Sequence, residues 1–222
     1  KLLNNIARAK ARAAQLHVAW RPHLKTHKSI DIARLQMTTP QGPATVSTLA
    51  EARYFAQNGV RDIIYAVGIA PQKLSEVAAI RRETGCDLKI ILDSEEAARS
   101  VSDFCRKQAT TIPVLLEIDT DGHRSGLTPE DPQLLTTAAA LANGALLKGV
   151  LTHAGDSYEC KTHEAIVEAA EAERAGAVRA ADRLRQAGFS VDIVSVGSSP
   201  TLMCAASEEG VTEIRAGVCA FF

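Results

Sequence analysis

The run Arg21-Pro22-His23-Leu24-Lys25-Thr26-His27-Lys28 packs five cationic or imidazole side chains into eight positions. Crowding by positive charge and burial both favour the neutral form of a lysine amine. A neutral amine is the form that attacks a carbonyl to make a Schiff base, so Lys25 is the first candidate for chemistry. The stretch Val18–Lys25 reads as a strand. Val18, Trp20, Pro22 and Leu24 fall on one parity and Ala19, Arg21, His23 and Lys25 on the other. In a parallel barrel the helix-facing side is apolar, which points the basic set inward and places Lys25 at the inner mouth of a strand.

Other polar residues recur where strand-like segments end. Asp119-Thr120-Asp121-Gly122-His123-Arg124, Thr152-His153-Ala154-Gly155-Asp156-Ser157-Tyr158 and Ser195-Val196-Gly197-Ser198-Ser199-Pro200-Thr201 are the main ones. His153 is either a hydrogen-bonded structural residue or a ring that stacks on a planar cofactor, with the Tyr158 hydroxyl near it. Arg124 is either a salt-bridged surface arginine or part of the same mouth. In the third segment Gly197 permits a tight turn, Ser198 and Ser199 can cap, and Pro200 suits a first helical position. That is an ordinary capped turn or an anion site, to which Gly217 and Val218 can add backbone donors. Arg215 shares the inward parity of Glu213 and Gly217, and a buried arginine needs a partner: Glu213 or a cofactor atom.

The elements that must position these residues alternate along the chain. Strand candidates are Val18–Lys25, Ala44–Ser47, Asp62–Val67, Leu88–Asp93, Val114–Asp119, Gly149–His153, Asp192–Val196 and Glu213–Ala220. Helix candidates are Leu2–Gln15, Ile30–Met37, Leu49–Gln57, Pro71–Thr84, Ser94–Gln108, Asp131–Ala142, Lys161–Ala187 and Pro200–Ser207. Eight strands alternating with eight helices predict an α/β fold, a (β/α)8 TIM barrel whose chemistry sits at the C-terminal ends of the strands. An open doubly wound sheet is the alternative.

With 222 residues, 46% of them hydrophobic, the chain can bury one sizeable core, so one domain over residues 1–222 is expected. A net charge of −1 gives no electrostatic argument for nucleic acid or a membrane surface. No apolar run approaches the roughly 20 residues that span a bilayer. No signal peptide is visible, and the chain starts at Lys1 rather than at a Met. Five scattered cysteines without a C-x-x-C pair read as reduced thiols, which suits a cytoplasmic location. Metal readings fit poorly: His17, His23 and His27 lie on a strand-like segment, and Cys160 and His163 make only a pair. Asp119 and Asp121 find no further support for hydrolase chemistry.

Arg21 to Lys28 resembles the lysine motif of the D-threonine aldolase and D-serine dehydratase family. These are fold type III pyridoxal-phosphate enzymes with a barrel of the alanine racemase N-terminal type. The resemblance continues in Glu117–Gly126, Thr152–Tyr158, Ser195–Thr201 and Glu213–Val218, and covers nearly the whole chain. It implies a PLP-dependent lyase of D-3-hydroxy amino acids of the serine, threonine or hydroxyaspartate type, either dehydratase or aldolase. Lys25 would carry the cofactor and the His153 ring would lie on the pyridine face, with His23 beside it. Arg124 would sit near the phenolic oxygen, with Tyr158 in the same region. Ser198 and Ser199, with the backbone of Gly197, Gly217 and Val218, would hold the phosphate. Arg215 would approach the pyridine nitrogen and weaken the electron sink.

The His153–Tyr158 segment and the Val196–Thr201 loop look more like the dehydratase side. Asp156 stands where a histidine is expected in D-serine dehydratases, which leaves room for hydroxyaspartate-type or aldol substrates. The family also implies a homodimer and a divalent metal, zinc or manganese, acting as Lewis acid at the 3-hydroxyl. Its ligands belong to a β-rich C-terminal domain that is absent from this sequence. The rival readings are an amino-acid racemase, a non-catalytic PLP-binding protein, and an unrelated barrel enzyme with a structural Lys25.

Overall fold

Polar caps set the starts of several helices. Ser29, Thr48, Ser94 and Thr162 each accept the backbone N–H three residues on, starting α2 (Ile30–Gln36), α3 (Leu49–Gln57), α5 (Glu95–Lys107) and α7 (His163–Gln186). Each such cap contributes about 1 kcal/mol. The remaining helices are α1 (Leu2–Gln15), α4 (Leu74–Thr84), α6 (Gln133–Leu141) and α8 (Ser199–Cys204). Between them run β1 (Ala19–Trp20), β2 (Ala44–Val46), β3 (Asp62–Gly68), β4 (Asp87–Leu92), β5 (Pro113–Ile118), β6 (Leu146–Thr152), β7 (Ile193–Val196) and β8 (Glu213–Ile214). The computed structural model describes residues 1–142 and 144–221; Phe222, with which the sequence ends, lies outside the described residues.

All strand pairs are parallel, in the order β1-β8-β7-β6-β5-β4-β3-β2. A parallel bridge between His23 and Thr45, with the Thr45 N–H on the Pro22 carbonyl at 2.9 Å, joins the two ends of that order. The result is the expected (β/α)8 barrel. Alternation splits the apolar residues in two. Ile63, Tyr65, Leu88 and Ile90 pack outward in the large core under the helices. Ile64, Ile91, Leu115 and Leu151 form a separate cluster, with Ala66 and Ile193, inside the barrel.

Below that plug lies a charged floor. Arg21 donates to Glu213 and to Asp62 at 2.8 Å, Lys89 reaches Asp62 at 2.8 Å and Asp87 at 2.7 Å, and the Ser195 hydroxyl donates to Glu213 at 2.6 Å. Arg21 is therefore inward, as its parity predicts.

Two strand expectations need correction. The first strand does not reach Lys25. The N–H groups of Ala19, Arg21 and His23 still bond to the carbonyls of Thr212, Ile214 and Ala216, but the regular ladder stops at Trp20. Pro22 has no N–H to offer, and Leu24, fully buried, anchors a 3-10 turn over Leu24–Thr26. Lys25 thus rides on that turn, exposed, rather than on an inward strand position. Likewise β8 ends at Ile214, and Val218–Ala220 is a 3-10 turn rather than strand.

Helix ends shift by smaller amounts. Pro71–Lys73 forms a 3-10 turn ahead of α4, and Pro132 occupies the cap position, so α6 starts at Gln133. Helix α8 ends at Cys204, short of the expected Ser207.

Candidate functional site

The 3-10 turn that carries Lys25 is fixed from both sides. The His23 ring nitrogen Nδ1 accepts the Lys25 N–H at 3.5 Å, and buried Leu24 pins the backbone. Partial burial lowers the Lys25 amine from its ordinary value even on this exposed turn, and Arg124 and Arg215 lower it further; Glu51 opposes them. The amine is therefore easier to deprotonate than a surface lysine, as its cationic setting predicts. His27 is otherwise engaged. Its Nδ1 accepts the Ser29 N–H at 3.0 Å, which leaves Nε2–H to donate to Gln36 at 2.7 Å.

His153 follows the last residue of β6. Its Nδ1–H donates to the Gly197 carbonyl at 2.8 Å, leaving the Nε2 lone pair free. Burial pushes its pKa down to about 4, and Arg215, Arg124 and Lys25 push the same way. Burial, Lys25, Arg215 and His153 hold His23 at about 2. Both rings are neutral at pH 7. Arg124 is exposed and reaches over Gly155, where an added Cβ would meet its Nη1 at 3.3 Å. His123 and Asp156, 2.9 Å apart, join the loops after β5 and β6.

Arg215 answers the question its parity raised. Glu213 pairs with Arg21, not with Arg215. The Arg215 guanidinium donates to the Ser195 hydroxyl at 2.8 Å, to the Val196 carbonyl at 3.2 Å and to the Thr152 carbonyl. It is 5% exposed, and among the described residues no carboxylate forms an ion pair with it. Burial lowers its pKa to about 10, against the pull of Glu173 and Glu213. A buried cation without a counter-ion favours an anionic or electron-rich ligand beside it.

The loop after β7 begins α8 with a capping box. Ser198 Oγ accepts the Thr201 N–H at 3.1 Å and the Thr201 hydroxyl accepts the Ser198 N–H at 2.9 Å. The Ser198 N–H is therefore engaged, and its hydroxyl lies within bonding distance of the Ser157 and Thr201 hydroxyls. Ser199 Oγ accepts the Cys219 N–H at 3.0 Å, and the Tyr158 hydroxyl accepts the Ser199 N–H at 3.3 Å. Tyr158 sits on a 3-10 turn over Gly155–Tyr158, its ring 6.2 Å from that of His153. Two glycines make the close approach possible. A Cβ on Gly197 (φ +120°) would meet the Ile214 side chain at 2.5 Å, and one on Gly217 would meet the His23 carbonyl at 2.4 Å.

The structure thus brings Lys25, His23, His153, Arg124 and Arg215 into mutual electrostatic range at one mouth. Tyr158, Gly197, Ser198, Ser199, Gly217 and Val218 form its rim. A groove of about 540 Å³ borders the rim at Tyr158, Ser199, Val218 and Cys219. An amine, a glycine-backed rim and an excess of positive charge fit a planar anionic aldehyde. Among the described residues no group of three or more His, Cys, Asp or Glu side chains is placed to hold a metal.

Sequence reasoning missed Glu51, Glu117 and Glu173. Glu51 accepts the Ser47 N–H at 2.9 Å and pairs with Lys28 at 3.2 Å, fixing the loop after β2. Glu117 accepts the Ser125 hydroxyl at 2.9 Å; burial raises its pKa and Asp93 adds to the shift. Glu173 accepts the N–H groups of Ala154 and Gly197. It falls on the buried stripe of α7, with Ala170, Ala177, Ala180 and Leu184, a helical spacing that would have shown it.

Residues 1–222 match the family described as alanine racemase, N-terminal domain. The chain is 49% identical to D-threo-3-hydroxyaspartate dehydratase of Delftia sp. (strain HT23), over 100% of this chain and 59% of that protein. The solved structure of that enzyme superposes with a TM-score of 0.97. D-serine dehydratase of Dictyostelium discoideum is 32% identical, over 99% of this chain and 60% of its own length. D-threonine aldolase from Filomicrobium marinum, at 22% identity and a TM-score of 0.87, shares the fold and is covered over 60% of its length. The chain therefore spans about three fifths of the relatives it matches. It belongs to the alanine racemase N-terminal domain family, the barrel of the fold type III pyridoxal-phosphate enzymes that its motifs resemble.

Proposed function

We propose that residues 1–222 are the cofactor-binding barrel of a PLP-dependent lyase acting on D-3-hydroxy amino acids. The observation that carries this reading is the pairing, at one barrel mouth, of a lysine amine shifted toward neutrality with a buried guanidinium that has no counter-ion. The most similar of the relatives named above acts on such a substrate. Bound there, pyridoxal phosphate supplies the electron sink that lets a bond at Cα break heterolytically.

The chain's own residues have distinct tasks in this reading. Lys25 would be the attachment point for the cofactor, and its amine, lowered from its ordinary value, would be available as a base. Neutral His153 presents its ring face, held by its bond to Gly197. Arg215, held by Ser195, Val196 and Thr152, would be the donor to the cofactor's ring nitrogen and would so moderate the sink. Arg124, over Gly155, and His23, beside Lys25, would border the cofactor, and Tyr158 meets the rim where Gly197, Ser198, Ser199, Gly217 and Val218 would take the phosphate. The N–H groups of Gly197, Ser198 and Ser199 already have internal partners, whereas those of Gly217 and Val218 have none among the described residues, so phosphate would meet the latter two and displace the Tyr158 hydroxyl from the Ser199 N–H.

Dehydration is favoured over aldol cleavage, because the 49% and 32% identical relatives are both dehydratases. Asp156, paired with His123 where D-serine dehydratases are expected to carry a histidine, leaves room for a hydroxyaspartate-type substrate. The zinc or manganese expected for the family finds no ligand set among the described residues. A cytoplasmic homodimer completes the reading. No helix among the described residues is long and apolar enough to cross a membrane.

Incubation with D-threo-3-hydroxyaspartate, D-serine and D-threonine tests the function. Keto acid and ammonia mark a dehydratase, and an aldehyde with glycine marks an aldolase. An equilibrating D/L mixture without cleavage would make it a racemase and overturn the proposal.

A further inference from the structure

We infer that Glu173 is a positioning residue for the candidate cofactor site: one carboxylate oxygen ties the loop carrying His153 to the loop carrying Ser198 and Ser199. The inference rests on the proposed PLP reading and extends it to a residue that touches no ligand. Glu173 Oε1 accepts the Ala154 N–H at 2.8 Å and the Gly197 N–H at 3.0 Å. Ala154 directly follows His153, and Gly197 opens the rim loop. Gly197 is held at its other end as well, because its carbonyl accepts from His153 Nδ1 at 2.8 Å. The carboxyl, Gly197 and the imidazole thus form one chain of bonds that sets both the height of the loop and the tautomer of the ring.

The support for this link is rigid. Glu173 projects from the 24-residue helix α7, on the face that packs against the barrel, and is 1% exposed. Burying a carboxyl is costly, and its second oxygen, Oε2, has no hydrogen-bond partner among the described residues. A packing role alone would favour an apolar side chain at this stripe position. Burial raises the Glu173 carboxyl above its ordinary value, and the Ala154 and Gly197 N–H groups hold it back.

The test is a titration of the protein, followed by absorbance, with PLP and with pyridoxal, which lacks the phosphate. Glu173→Leu is expected to weaken PLP binding about tenfold or more, the effect of freeing two buried N–H groups, while pyridoxal, which shares only the His153 contact, loses less. Glu173→Gln keeps an oxygen acceptor and is expected to bind PLP like the unmodified protein. Should Glu173→Leu fail to fold, Glu173→Asp, too short to reach both loops, takes its place. PLP binding by the Leu or Asp variant at wild-type strength overturns the inference, as does an equal loss of PLP and pyridoxal. A folded Glu173→Gln protein that loses PLP overturns it too. Failure of the unmodified protein to bind PLP overturns the reading beneath it.

Discussion

The barrel buries charge at both ends and resolves it in opposite ways. At the floor, Arg21 sits between Glu213 and Asp62, and Lys89 between Asp62 and Asp87. Burial alone would lower the Arg21 pKa, but the two carboxylates outweigh it and raise it. Burial alone would raise Asp62, but Arg21 and Lys89 hold it below its ordinary value. At the mouth, Arg215 is as buried as Arg21 yet has no carboxylate partner, and its pKa falls to about 10. Two guanidiniums in one barrel therefore differ by what surrounds them. A paired one closes the fold, and an unpaired one keeps a position ready for a ligand.

If that contrast is right, substitutions at the two ends have opposite signatures. Lys25→Ala is expected to cut lyase activity by roughly a thousandfold or more, because both nucleophile and base are lost. The melting temperature of the cofactor-free protein should hardly move, since Lys25 is exposed and forms no ion pair among the described residues. Calorimetry beside a steady-state assay reads both quantities. Arg21→Leu is expected to cost about 3–5 kcal/mol, because it strands Glu213 and bares Asp62, and denaturant unfolding measures it. Arg215→Met removes an unpaired buried charge along with three hydrogen bonds, so its stability should stay within about 1 kcal/mol of wild type while PLP binding weakens. Equal destabilisation by the two arginine variants would erase the contrast.

The pH dependence sharpens it further. His153 is held at about 4 in the fold against 6.5 when unperturbed. Below pH 6.5 the unfolded chain takes up a proton that the fold refuses, so stability falls as pH drops from 6.5 to 4 and then levels for this group. His23, held at about 2, extends the decline to lower pH. His153→Gln is expected to flatten the fall of melting temperature between pH 6.5 and 4.

A smaller effect of opposite sign belongs to Glu208, which burial, with Glu173 beside it, raises to about 8. Its protonated form is the one the fold prefers. The stability it lends is complete below its unperturbed value of 4.5 and is lost as pH rises through 8. Glu208→Gln should therefore raise the melting temperature at pH 8 more than at pH 5.

The fold was legible because each apolar run is interrupted on a barrel's schedule, and eight strands and eight helices appear where the alternation puts them. Parity correctly turned Arg21 inward and Trp20 outward, since it follows from the pleat alone. It misplaced Lys25 because a proline and a buried leucine convert the strand end into a 3-10 turn, and no period-2 rule survives that change. The mouth residues were legible as a set, since polar residues gathered at strand ends. Their bonding was not: the capping box uses up Ser198, and only coordinates show that Glu213 belongs to Arg21. Glu173 hid among Glu168, Glu171 and Arg174, which read as a solvated face until the small residues opposite them reveal the buried stripe.

The most direct test of the account is borohydride reduction of the protein after incubation with PLP, followed by peptide mapping of the label. The account predicts a visible band that reduction removes, with the label on Lys25 alone. Label spread over exposed lysines such as Lys10, Lys28 and Lys107, or a protein that gains no band, would contradict it.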